Sequence, residues 1–229
     1  MVNNKATEKE FEDYVTYLGG EISRLSDYVA LYQRLEELKA DHLEEMNFAP
    51  FFFGVTIDAL FSVIVLWIDK LFDEKGQRGL FNFLAFVEKN IDLFRVAELQ
   101  RRQNYPDGHW MLDRDAVTIE SVEVDRQKLR QCPARKAISL RRNKFHAHFD
   151  KKYFFNRAAL DQEAPISWEE LTEAVKLTQE TVNKYSSHHD GSATEFMALN
   201  CDDVNGVLKA IREWRQFRLQ ELESALDED

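Results

Sequence analysis

The chain has 229 residues, a mass of 26.9 kDa and a formal net charge of −11. Apolar residues make up 44 % of it, which is enough to bury a sizeable core and excludes global disorder. Only 8 glycines and 4 prolines punctuate it, which disfavours a turn-rich sandwich or barrel and favours long helices.

Thr7 followed by Glu10 has the pattern of a capping box. Apolar residues then recur at Phe11, Tyr14, Val15 and Leu18, and again at Ile22, Leu25, Val29, Tyr32, Leu35 and Leu38. This spacing predicts an amphipathic helical arm within residues 1–48, broken at Gly19-Gly20. Pro50 is suited to the first turn of the next helix, which runs to about Phe72 and ends near Gly76. Its apolar stretch, Ala49 to Ile68, has the length of a membrane span. Asp58 falls in the middle of that stretch, and Glu44 and Glu45 precede it where a basic flank would be needed. A helix apolar on all sides also suits the centre of a bundle, so burial between at least two neighbours is expected and no membrane partner is assigned.

A further apolar helix spans about Gly79 to Arg102, and Asn104–Gly108 reads as a turn. Residues 109–120 look irregular, with Val117–Glu120 as a short extended piece. A helix starts near Ser121 and pauses at Cys132-Pro133, and the next runs from Ala134 to about Phe149. Lys151–Pro165 reads as a loop. Ser167 with Glu170 forms a second capping box and opens a helix to about Ser187. His188–Thr194 is a break, a last helix spans about Asp203 to Leu226, and Leu226–Asp229 reads as a solvated tail. Six to seven helices with little strand signal define an all-α bundle. The absence of a linker points to one domain, with a core at 49–190.

Charge is distributed unevenly. Residues 125–152 carry ten basic and two acidic side chains, a net +8, which leaves −19 for the rest. Such an island could steer a polyanion to one place, or could be a helix face neutralised by acidic neighbours. The two cysteines, Cys132 and Cys201, are too few for a disulfide framework, and the first residues lack the basic-then-apolar pattern of a secretion signal. A reducing, cytoplasmic setting is expected.

Within the island, residues 141–148 read RRNKFHAH. On a straight helix Arg142 and His146 lie about 40° apart, but Arg142 and His148 differ by about 120°. Those two could converge if the helix ends or bends near Ala147, or across a two-fold axis that brings two copies of the motif together. Arginine and histidine are a sensible pair for a phosphodiester. Guanidinium holds phosphate and stays charged, and imidazole takes and returns a proton near neutral pH. RNA carries its own 2′-OH nucleophile, so no metal is needed. Asn143 has an amide with which to orient either partner. The plainer alternative is a solvated basic helix turn.

Arg142-Asn143-Lys144-Phe145-His146-Ala147-His148 fits the pattern arginine, then Asn, Asp or His, then four residues, then histidine. In this it resembles the HEPN superfamily of small helical proteins, and RNKFHAHFD followed by Lys151 and Lys152 looks most similar to its AbiU-like abortive-infection branch. Leu71-Phe72-Asp73 resembles a step that ends an earlier helix in such branches, and the likeness extends over about residues 10–185. The resemblance implies a HEPN-like bundle that forms a homodimer with facing motifs. It also implies metal-independent endoribonuclease activity in toxin–antitoxin or phage-defence systems, RNA as substrate, and an antitoxin partner such as a nucleotidyltransferase. Arg142 would stabilise transition-state charge, His148 would be general base or acid, and Asn143 would orient the site. His146, Arg141, Lys144 and Asp73 would be accessory. Some members are non-catalytic adaptors.

Other residues are of chemistry-bearing types. His146, His148 and Asp150 form an HxHxD string, but i and i+2 diverge by about 200° on a helix, which disfavours a shared metal. No metal or cofactor is expected. Asp58 and Asp69, in the apolar helix, need partners if buried, and one of them could pair with Arg142. His188-His189 read as a solvated helix end and His109 as a packing residue. Neither cysteine has a catalytic context.

Overall fold

The structure, a computed structural model, describes residues 2–198 and 200–227. It is all-α: eleven α-helices and no strand are present among the described residues. They are α1 (Val2–Leu38), α2 (Leu43–Met46), α3 (Pro50–Phe72), α4 (Leu80–Lys89), α5 (Val96–Gln103), α6 (Ile119–Arg130), α7 (Ala134–Arg141), α8 (Lys151–Phe155), α9 (Arg157–Glu163), α10 (Trp168–Asp190) and α11 (Asp203–Asp227). Of the predicted tail, Glu228 and Asp229 lie outside the described residues.

The chain packs around two centres. One unit comprises the residues up to Ser26 together with Ile64–Met197, and the other comprises Asp27–Val63 with the residues from Ala198 onward. Helices α1 and α3 each contribute to both units, without the loop that a linker-based domain boundary would need.

In the first unit the core is aromatic. Phe11 stacks on Phe83 with centroids 5.9 Å apart and meets the edge of Phe94 at 5.0 Å. Phe83 and Phe94 each contact Tyr185 edge-on. Tyr185 is fully buried and donates its hydroxyl to Asp125 at 2.7 Å, tying α10 to α6. Burial pushes the Asp125 carboxyl up, but hydrogen bonds from Lys184 and Tyr185 outweigh it and hold the carboxyl below its usual range. The capping box at Ser167 and Glu170 is present as predicted, and Gly191, at φ +79°, ends α10 in the left-handed conformation that favours glycine. Gly79 packs so closely beneath α3 that a Cβ there would lie 2.9 Å from the Leu71 carbonyl oxygen.

The second unit is held by Leu35, Leu38, Met46, Phe53 and Leu208, and buried Glu45 accepts a hydrogen bond from Arg212 at 2.6 Å.

Several sequence expectations need correction. α1 begins before Thr7 and is not broken at Gly19-Gly20. Two glycines cost a helix about 1 kcal/mol each, but Leu18, Ile22 and Leu25, on either side of them, are buried, and packing overrides propensity. Val117–Glu120 is not extended. Thr118 and Ser121 exchange side-chain and backbone hydrogen bonds, and this capping box starts α6 at Ile119. The predicted helix over 79–102 is divided into α4, a 3₁₀ turn at Ile91–Phe94, and α5. The predicted loop after Lys151 contains α8 and α9.

The expected burial of α3 is complete only in its second half, and in the first half Phe53 alone is buried. Ile64, Val65, Ile68, Leu71 and Phe72 are buried, whereas Phe51 is 82 % exposed and Phe52 and Val55 are also open. Among the described residues, α3 is the one helix long and apolar enough to cross a membrane, by length and composition alone.

His189 is not a solvated helix end. It is 3 % exposed and packs on Phe11 at 4.6 Å, and its Nε2 has no hydrogen-bond partner among the described residues. Burial, aided by the Arg102 charge, pushes its pKa down to about 4. The folded state therefore takes up this proton later than the unfolded chain, whose histidines titrate at about 6.5. The stability contributed by neutral His189 is complete above that value and is lost as pH falls toward 4. His189→Phe is expected to flatten this part of the profile. Denaturant titrations at about pH 7 and pH 5 should show the wild type losing on the order of 2 kcal/mol more than the variant.

Candidate functional site

The RRNKFHAH segment does not form the single helix predicted over 134–149. Helix α7 ends at Arg141, and Arg142–His146 continue as a π-helical turn. The Ala147 amide donates to the Arg142 carbonyl at 2.9 Å, one residue beyond the α-helical partner, and the Asp150 amide reaches the Lys144 carbonyl at 3.0 Å. Asp150 then locks the exit from the turn. One carboxylate oxygen accepts from the Lys152 amide and caps α8, and the other binds the Lys144 ammonium at 2.9 Å. The Lys144 hydrogen bond holds the Asp150 carboxyl below the usual range and, reciprocally, raises the Lys144 ammonium. His148 lies outside the helix, at a bend, so the 120° separation of a straight helix no longer applies to it and Arg142.

The motif arginine is held from two sides. Its Nη1 donates to the Asn143 side-chain oxygen at 2.6 Å, and its Nε lies 3.2 Å from Asp69 Oδ2. Asn143 in turn donates to Ser139 Oγ over a longer 3.4 Å. Asn143 thus links Arg142 to Ser139. Arg142 keeps 41 % of its side chain exposed, and its Nη2 donates no hydrogen bond among the described residues. His148 is exposed and likewise makes no hydrogen bond or ion pair among them.

Asp69 and Asp58, alike in sequence, have different surroundings. Asp58 is exposed, while Asp69 is mostly buried near the end of α3. Burial raises the Asp69 carboxyl. Arg142 pulls it back only in part, and Asp73, one turn further along, opposes that pull. No helical periodicity distinguishes the two aspartates; what selects Asp69 is the tertiary packing of α3.

The accessory residues separate. Arg141 is buried, with Nε donating to the Ala164 carbonyl at 2.7 Å and Nη2 to Asp161 at 2.9 Å. It anchors the end of α9 from within the fold, where its guanidinium is engaged by Ala164 and Asp161. His146 is half-buried, edge-on to Phe145 at 5.4 Å. Asp73 accepts from the Lys75 amide and lines a groove of about 660 Å³ with Tyr14, Trp67, Lys70 and Arg78, which the motif residues do not line.

The basic island is largely compensated. Arg126 pairs with Glu88 and Glu123, Arg130 and Arg135 with Glu74, Lys128 with Asp125, and Lys152 with Glu163. Lys136 and Lys151 have no ion pair among the described residues. Nor do any three His, Cys, Asp or Glu side chains group there to hold a metal. Cys132 is buried, which pushes its thiol up and away from reactivity.

Two substitutions test these assignments. Arg141→Ala strands the Ala164 carbonyl and should lower stability by about 1–3 kcal/mol in urea unfolding. Asp69→Asn removes a carboxylate that folding disfavours in its charged form. It should raise the unfolding midpoint at neutral pH, and the gain should shrink as the pH falls and wild-type Asp69 takes up its proton.

Comparison with known proteins agrees with this architecture. The HEPN AbiU2 family model matches residues 8–224. No curated protein and no solved structure matches the chain. The match covers most of the chain, residues 142–148 included, and the chain belongs to the AbiU2 family of HEPN proteins.

Proposed function

We propose that the protein is a metal-independent endoribonuclease acting in abortive infection or a toxin–antitoxin pair. The observation that carries the reading is the Ser139–Asn143–Arg142–Asp69 chain. It fixes the motif arginine in place and leaves Nη2 open, while His148, six residues on, stays exposed.

The chemistry follows from those groups. The His148 imidazole takes the proton of a ribose 2′-OH, and O2′ attacks the adjacent phosphorus. Negative charge builds on the phosphorane oxygens, where the Arg142 guanidinium stabilises it. A proton returns to O5′ as that bond breaks. The products are a 2′,3′-cyclic phosphate and a 5′-OH end. His146 or His148 of a second copy supplies the second proton, so the reading includes a homodimer with a shared cleft. It also includes a cytoplasmic setting and an antitoxin such as a nucleotidyltransferase.

A second reading, a non-catalytic adaptor, draws on the compensated basic island and on the exposed apolar residues Phe51, Phe52 and Val55 of α3.

Incubation with labelled total RNA in EDTA separates the two. The wild type should cleave and leave cyclic phosphate ends. Arg142→Ala and His148→Ala should each lose at least about 100-fold in rate with unchanged circular dichroism. Mixing the two variants should restore part of the activity if the cleft is shared. Dependence on added magnesium would refute the mechanism, and intact RNA with a bound protein partner would favour the adaptor.

A further inference from the structure

The bend that exposes His148 runs directly into a row of phenylalanines. Phe149 is 73 % exposed, Phe154 53 % and Phe155 78 %. Their rings meet edge to face, Phe149 to Phe154 and Phe154 to Phe155 each at 5.2 Å, and half-buried Phe145 backs the row at 6.0 Å from Phe149. Contiguous exposed rings of this size are surface that a folded chain retains for contact. Each edge-to-face contact spends one π face on a neighbour's edge, and the exposure of the three rings is what leaves aromatic surface open to a ligand.

The balance of charge around the row is positive. Residues 141–163 carry six basic and three acidic side chains, a net +3 on a chain of net −11. Lys151 lies within the row, exposed and without an ion pair among the described residues, and the Arg157 guanidinium lies 4.4 Å over the Phe145 ring. A two-fold contact between copies would press this positive patch against itself. A strand with flat base faces and a phosphate backbone satisfies both the rings and the charge.

We propose that Phe149, Phe154 and Phe155 form a base-stacking subsite that selects single-stranded RNA and sets its backbone at Arg142 and His148. The inference rests on the ribonuclease reading. Stacking on aromatic side chains is tolerant of sequence because every base has a π face, whereas a duplex keeps those faces inside. The subsite therefore discriminates by strandedness, not by base identity.

The test uses the full-length His148→Ala protein, which binds without cutting, and a short mixed-sequence single-stranded RNA labelled with fluorescein, read by anisotropy. The duplex of the same sequence should bind more weakly. Adding Phe155→Ala or Phe149→Ala should weaken single-strand binding by about fivefold to 100-fold, and Phe155→Trp should retain it. In the otherwise wild-type enzyme the alanine changes should raise KM for single strands more than they lower kcat.

Unchanged affinity, equal binding of duplex, or no RNA binding at all would overturn the subsite. So would alanine variants that convert a dimer to monomer in sedimentation, since the row would then be a seam between copies. A wild type that binds single strands through the phenylalanines but cuts nothing in EDTA would support the subsite and refute the ribonuclease reading. Cleavage unaffected by the alanine changes would do the reverse.

Discussion

A phenol donating to a carboxylate holds the first unit together. Tyr185 sits fully buried among Phe83 and Phe94, and its hydroxyl ends on Asp125. The aromatic body gains from burial, and the polar tip must find a partner or pay the full cost of desolvation. That partner is on α6, the helix that leads through Cys132-Pro133 into α7 and the motif. One hydrogen bond therefore sets where the motif-bearing segment departs from the core. The Lys184 ammonium on the same carboxylate keeps Asp125 charged despite its burial.

The motif itself is organised by opposite charge close at hand more than by a broad positive field. Most arginines and lysines between residues 126 and 152 are matched by glutamates and aspartates from α3, α4, α6 and α9. What remains positive is sparse: Arg142, tempered by a carboxylate that burial makes reluctant to ionise, Lys136, and Lys151 beside the phenylalanines. Attraction confined to a few side chains is short-ranged, because each matched pair cancels its own field beyond a few ångströms.

Much of the fold was legible in the sequence because it rests on local rules. The Ser167–Glu170 box, the turn at Asn104–Gly108 and the apolar stripe of α1 follow from spacing and from side chains that reach their own backbone. Arg142, Asn143 and His148 stood out because their residue types and spacing are rare together. The rest depended on contacts distant in sequence. Nothing near Asp69 separates it from Asp58 until α3 packs and only one of the two meets Arg142. His189 resembles any polar residue at a helix end until Phe11, 178 positions earlier in the chain, covers it. Arg141 and Arg142 are adjacent arginines. One is drawn inward because α9 ends on a bare carbonyl within its reach, and α9 itself was hidden in a stretch that lacks a clear helical period.

The π-helical turn gives the motif slack in register. A regular α-helix would fix the angle between two side chains by the number of residues between them. At Arg142–His146 that rule lapses, because the wide turn takes up a residue that the α-helical ladder would have counted. The Asp150 clamp, with Lys144 on one side and the start of α8 on the other, closes the span from the far end. The direction in which His148 leaves the turn is thus set by the turn and its clamp together, not by residue count alone. Asp150 touches neither the arginine nor the histidine through a hydrogen bond, yet a change there would loosen both the turn and the helix that follows it.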